Sequence, residues 1–131
     1  MIIYYTKEGK FEVNKMINIP WKKLHRKNKP AYIDFDDNNN IIFSQWYLNG
    51  KRHREHGPAI VINSKNRQEQ WWIDGKKHRV SGPAIIWNNG DEEYWINGQQ
   101  LNIKKVNDWI KNNNIDLKTK QHQVLFMLKF G

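Results

Sequence analysis

The segment Trp46-Tyr47-Leu48-Asn49-Gly50-Lys51-Arg52-His53-Arg54-Glu55-His56-Gly57-Pro58-Ala59 returns 25 positions later as Trp71-Trp72-Ile73-Asp74-Gly75-Lys76-Lys77-His78-Arg79-Val80-Ser81-Gly82-Pro83-Ala84. A third copy opens at Tyr94-Trp95-Ile96-Asn97-Gly98 and breaks off at Gln99, and the second half of an earlier one stands at His25-Arg26-Lys27-Asn28-Lys29-Pro30-Ala31. A unit this short cannot bury its own apolar face, so the copies must stack on one another. The repeat therefore points to a scaffold rather than to a fold built round one catalytic pocket.

Within each copy, an aromatic pair and an aliphatic residue read as a strand, and the Asn-Gly or Asp-Gly that follows is a tight-turn signal. Positive φ is expected at Gly50, Gly75 and Gly98. Gly57-Pro58 and Gly82-Pro83 restart the chain in extended geometry, because proline disfavours the α region for the residue before it. Strands are expected over 59–62 and 84–87, with polar turns at 63–67 and 88–91 leading to the next aromatic strand. Upstream, 2–5 and 11–13 flank the turn 7–10, and 31–35 pairs with 41–47. The prediction is a mainly β fold, an antiparallel meander of about seven or eight strands in one long twisted sheet. Trp46, Gly50, Gly57, Pro58, Trp71, Gly75, Gly82, Pro83, Trp95 and Gly98 are its structural repeat positions.

The pattern changes after residue 100. Ile103, Val106, Trp109 and Ile110 fall on one face of a helix, which predicts a helix packed on the sheet. Residues 119–130 read either as a helix through Val124, Leu125 and Leu128 or as a strand through Val124, Phe126, Leu128 and Phe130. The helix is preferred, as a cap over the apolar end of the stack. The whole reads as a single domain over 1–131, with hairpin repeats over 1–100 and a short helical cap over 101–131.

Little in the chain suggests chemistry. Cysteine is absent, which excludes disulfides and thiolate metal sites. The apolar start, Met1 to Tyr5, is too short for a signal peptide, and no apolar run approaches the roughly 20 residues of a membrane span. These features predict a soluble protein that is not secreted. His25, His53, His56 and His78 come from separate loops among cations that oppose a metal ion. Ser81 beside His78 is not part of the repeated design, since His56 stands at the matching position. Asp34, Asp36 and Asp37 have ordinary turn composition. The expectation is a non-enzymatic protein with no cofactor, no metal and no small-molecule substrate.

A net charge of +9 and seven tryptophans point instead to binding. Stacking in register puts equivalent loops on one edge, and the loops over 22–29, 51–54 and 76–79 hold half of the 22 lysines and arginines. The candidate contact residues are Lys22, Lys23, Arg26, Lys27, Lys51, Arg52, Arg54, Lys76, Lys77 and Arg79. Such a ridge suits an acidic protein, or the phosphates of DNA or RNA without reading of bases. A plainer reading gives Arg26, Arg54 and Arg79 to packing, each over a neighbouring tryptophan or on loop carbonyls. The paired aromatics send one ring to each side of the sheet, to become core, an exposed ladder, or a surface covered by the C-terminal helices. A basic edge permits anionic membranes, but no amphipathic anchor favours them. Two open sheet edges make a homodimer possible.

The pattern aromatic-x-x-Asn-Gly-Lys-x-His, clearest at Trp46 to His53 and, with Asp-Gly in place of Asn-Gly, at Trp71 to His78, resembles the MORN repeat, a stacking β-hairpin unit. Arg54 and Arg79 depart from it, standing where such units usually have glycine, before the Gly-Pro-Ala of 57–59 and 82–84. This variant looks like the MORN-like repeat proteins of giant DNA viruses of amoebae, Marseillevirus-like, and of some phages. The resemblance covers about residues 24–100, and the tail over 124–131 is similar to theirs. It implies a structural or interaction role, as a virion component found in the particle and in the cytoplasm or nucleus of an infected host cell.

Overall fold

The computed structural model describes residues 1–131. The chain opens with β1 (Ile2–Thr6), β2 (Gly9–Val13), β3 (Tyr32–Phe35) and β4 (Ile41–Gln45). The first complete repeat adds β5 (Tyr47–Leu48), β6 (Lys51–Arg52), β7 (Ile60–Ile62) and β8 (Gln68–Gln70). The second adds β9 (Trp72–Ile73), β10 (Lys76–Lys77), β11 (Ile85–Trp87) and β12 (Glu92–Glu93), and the third stops after β13 (Trp95–Ile96) and β14 (Gln99–Gln100). Eight of these strands form one antiparallel sheet in the order β2-β1-β3-β4-β7-β8-β11-β12. The predicted meander is present, with β2 outermost. Residues 14–31 cross one face to deliver β3 to the free side of β1, and Ile19 and Leu24 from this crossing bury against Ile2, Tyr32 and Tyr47.

The aromatic strands differ from the prediction. They do not run on inside the sheet but fold off it as three two-stranded hairpins, β5–β6, β9–β10 and β13–β14. The crease is the first aromatic of each pair. Trp46 N–H donates to the Ala59 carbonyl of the sheet at 2.7 Å, while its own carbonyl accepts from His53 of the hairpin at 3.1 Å. Trp71 does the same with Ala84 and His78 at the same distances. One residue thus serves two ladders. Ala31, Ala59 and Ala84, on the sheet side of the crease, are wholly buried, so a small side chain is needed there.

Both turn residues of each hairpin have positive φ: 52° and 76° at Asn49-Gly50, 48° and 79° at Asp74-Gly75, 49° and 80° at Asn97-Gly98. This is the turn whose twist matches paired strands. The hairpins then lie side by side, Gly75 N–H donating to the Arg52 carbonyl and Gly98 N–H to that of Lys77, each at 2.9 Å. They make a narrow second layer. With two strands per unit, its side chains repeat about every 10 Å.

Residues 120–130 are helical, so the helix reading of the tail holds and the strand reading does not. Helix α1 (Ile103–Asn112) starts at Asn102, whose side chain accepts from Lys105 N–H, and α2 (Lys120–Phe130) starts at Thr119, which caps His122. The predicted packing of α1 on the sheet is corrected. Val106 and Phe126 instead bury against Tyr94 and Ile96, closing the end of the hairpin layer, with Phe126 edge-on to Tyr94 at 6.0 Å. Ile103, in the first turn of α1, falls outside this contact and is 40% exposed.

Candidate functional site

Side chains alternate across the hairpin layer, so each hairpin shows different residues to its two sides. On one side Tyr47 stands opposite Arg52, and Trp72 opposite Lys77. The row runs Tyr47, Arg52, Trp72, Lys77, Trp95. The Arg52 guanidinium lies 5.8 Å from the Tyr47 ring and 5.0 Å from that of Trp72. The Lys77 ammonium lies 5.7 Å from Trp72 and 4.4 Å from Trp95. The repeat spacing leaves room for one cation between successive rings, and each gap is filled.

The rings are fixed from below by acceptors at one repeated position. Trp72 Nε1 donates to Gln70 at 2.9 Å and Trp95 Nε1 to Glu93 at 3.0 Å, while Tyr47 Oη and Arg52 Nε both reach Gln45 Oε1 at 3.2 Å. The sequence reading missed these three residues, although each directly precedes an aromatic pair. Above them an open groove of about 400 Å³ is lined by Trp21, Lys22, Tyr47, Lys51, Arg52 and Trp72 with Gly50 and Gly75, and by no carboxylate. The stems of Lys51 and Lys76 cross the turn glycines of the next hairpins, and both ends are exposed.

The other side is closed. Arg54 lies flat on Trp46 at 4.0 Å and donates to the Pro58 carbonyl at 3.0 Å. Arg79 lies on Trp71 at 3.7 Å and donates to Pro83 at 2.9 Å. Arg26 repeats the arrangement with Pro30 at 3.2 Å, but its ring, at 3.8 Å, is Tyr5 and not a tryptophan. Ring and carbonyl, expected as alternatives, are engaged together. The glycine before each proline now has a reason. A Cβ at Gly57 would come within 2.8 Å of the Arg54 guanidinium, and one at Gly82 within 3.1 Å of that of Arg79.

Burial pushes both guanidinium values below the ordinary arginine range. At Arg79 the carboxylates of Glu69 and Glu92 oppose the shift, whereas at Arg54 nothing does. The third unit has no such arginine, and Phe126 covers Tyr94 instead.

The histidines tie the units together. Nδ1 of His25, His53 and His78 accepts a backbone N–H from Asn49, Asp74 and Asn97, at 2.9, 3.1 and 3.0 Å. Each bond joins one unit's loop to the next unit's turn. Burial pushes the His78 value down, in keeping with an imidazole that must stay neutral to accept. The Asp74 carboxylate stands 3.3 Å from His53 Nδ1, but a nitrogen accepting from the Asp74 amide has no proton to share with it. No three histidine or acidic side chains converge on a metal-sized space.

The single basic edge expected from the repeat is therefore divided. Lys22, Lys51 and Arg52 line the groove, Lys77 continues its row of rings and cations, and Lys76 lies against the Gly98 turn, while Arg26, Lys27 and Arg54 line a separate cleft on the opposite side of the hairpin layer. Lys23 sits in a depression with Lys7 and Glu8. Arg79 is half-buried on its tryptophan. None of the ten has a carboxylate within salt-bridge distance. No family model, curated protein or solved structure matches the chain.

Proposed function

We propose that this chain is a non-enzymatic repeat scaffold that docks an acidic partner along the groove of Tyr47, Arg52, Trp72, Lys77 and Trp95. The observation that carries the reading is the row of unpaired cations held between rings at the repeat spacing. Cations fixed in this way lose little side-chain entropy on meeting a carboxylate, and their partial burial weakens screening by salt. The viral resemblance of the repeat adds a setting, a virion component that meets its partner in the particle or the infected cell.

Sequence-independent binding of nucleic acid is the second reading, favoured by the exposed, unpaired Lys51 and Lys76. Against it, Arg52 and Lys77 lie 5.0 and 5.7 Å from the Trp72 ring, where they compete with a base for stacking on it. The test is fluorescence anisotropy of a labelled poly-glutamate peptide and of a duplex of ~30 base pairs, each titrated at low salt and at ~0.15 M. The peptide is expected to bind at both salts and to lose at least about tenfold with Arg52→Glu and Lys77→Glu together. A duplex that binds more tightly than the peptide at ~0.15 M salt transfers the role to nucleic acid. No binding of either at low salt removes the docking reading.

A further inference from the structure

We infer that the cleft on the closed side of the hairpin layer is a binding site for a phosphate monoester. Its volume is about 430 Å³, and its apolar lining is Leu48 and the part of Trp46 that Arg54 leaves uncovered. Arg26, Lys27, Arg54, His53 and His56 complete the charged and polar lining, with Glu55 as the one carboxylate. Three permanent cations thus face one acid, and Glu55 itself leans toward His53, at 3.7 Å from Nε2.

Two of these cations are already in place. Arg26 and Arg54 are held by their rings and by proline carbonyls, each through Nη1, and the remaining guanidinium N–H groups of both have no protein acceptor. Each guanidinium is half-buried with one carbonyl acceptor and no counter-charge, and its remaining N–H groups reach solvent, where an oxyanion can supply both further acceptors and the missing charge. The next unit shows the same arginine satisfied from within. Arg79 Nε donates to Ser81 Oγ at 3.1 Å, and Glu69 and Glu92 act on its charge. At the matching position the first complete repeat has His56, which makes no such bond with Arg54. The cleft is the place in the array where the repeated arginine is left open.

Forked guanidinium donors suit the several oxygens of a tetrahedral anion, and Lys27 adds a mobile charge at the rim. Leu48 and the edge of Trp46 offer apolar contact to a ring or short chain on the ester oxygen. An aryl phosphate, as on a tyrosine side chain, and a nucleoside monophosphate share this chemistry. The site does not use the groove residues, so it stands or falls separately from the docking role.

The experiment follows the amide and indole signals of the full chain by heteronuclear NMR during titration with phenyl phosphate, adenosine monophosphate and inorganic phosphate. Shifts are expected at Trp46, His53 and Arg54, with Trp72 and Trp95 unmoved, and with dissociation constants below ~1 mM for at least one ester. Tighter binding of phenyl phosphate assigns the site to aryl esters, and tighter binding of the nucleotide to nucleosides. Either supports the inference.

His56→Ser gives Arg54 the internal acceptor that Arg79 already has, so the fold is retained while ester affinity falls about tenfold or more. Lys27→Glu, at an exposed position, should weaken binding several-fold. Binding unchanged in His56→Ser overturns the inference, as does the absence of saturation at ~10 mM ester or a response at Trp72 in place of Trp46. Arg52→Glu with Lys77→Glu leaves this titration unaltered, which separates it from a failure of the docking reading.

Discussion

Trp46 and Tyr47, and again Trp71 and Trp72, are neighbours in sequence with opposite fates. The first ring of each pair is covered by the arginine eight residues later in its own unit, and that arginine is tied to a proline carbonyl. The second ring lines the open groove, Tyr47 with most of its ring buried in the core and Trp72 half-buried, and Trp72 has a cation between it and the ring on each side. Both arrangements are cation on aromatic, yet they do different work. A cation that also bonds a backbone carbonyl closes a loop and holds the unit. A cation that bonds only rings and one amide, like Arg52, keeps donors free for a partner. The lesson is that the second bond of the cation, rather than its contact with a ring, marks which repeated residues serve packing.

The strongest test of this contrast removes one ring at a time. Trp71→Ala deletes the crease residue, uncovers Arg79 and leaves a cavity beneath it, and should cost about 3 kcal/mol of unfolding free energy. Trp72→Ala removes a half-open ring and should cost about 1–2 kcal/mol. Urea midpoints of the two variants check the order, and equal losses would break the contrast. The arginines give a smaller version. Arg54→Ala loses the contact with Trp46 and orphans the Pro58 carbonyl, about 2 kcal/mol together, whereas Arg52→Ala should stay below about 1 kcal/mol. Arg54→Lys should recover less than half of the Arg54 loss, because an ammonium cannot lie flat on the ring and reach the carbonyl at once.

Much of this was legible in the chain because the repeat shows every position twice or more. The turn glycines follow from Asn-Gly and Asp-Gly, the sheet strands from the runs after Gly-Pro, and the packing alternative for Arg26, Arg54 and Arg79 from their recurrence at one register of the repeat, though not which carbonyl each would bond. The crease was not legible, since Trp46 looks like any strand residue and only its two hydrogen bonds, to different ladders, turn the chain there. Missing the crease hid the division of charge. Residues 51–54 read as one loop, but Lys51 and Arg52 are a return strand whose side chains alternate, while His53 and Arg54 belong to the unit's closing loop. Gln45, Gln70 and Glu93 went unnoticed because polar residues in a strand pattern ordinarily face water, whereas Gln45 is buried and each of the three bonds an aromatic side chain.

The smallest expected effect concerns the bonds that keep the hairpins in line. His78 Nδ1 accepts from Asn97 N–H, and burial holds its folded value below the ordinary 6.5. The unfolded chain therefore binds a proton more readily than the folded one. The contribution of this bond is complete above about pH 6.5 and declines as pH falls through the lowered folded value. Asparagine at this site can present its carbonyl oxygen where Nδ1 stands, but it does not titrate. His78→Asn should leave the urea midpoint near that of the parent at pH 7.5 and fall less between pH 7.5 and pH 5.5. A parallel decline in both proteins would place the acid sensitivity elsewhere. A smaller decline in the variant would show that the third hairpin, and with it Trp95 at the end of the groove, is held in register by a neutral imidazole. The open side of the layer would then depend on pH through a residue that lies outside it.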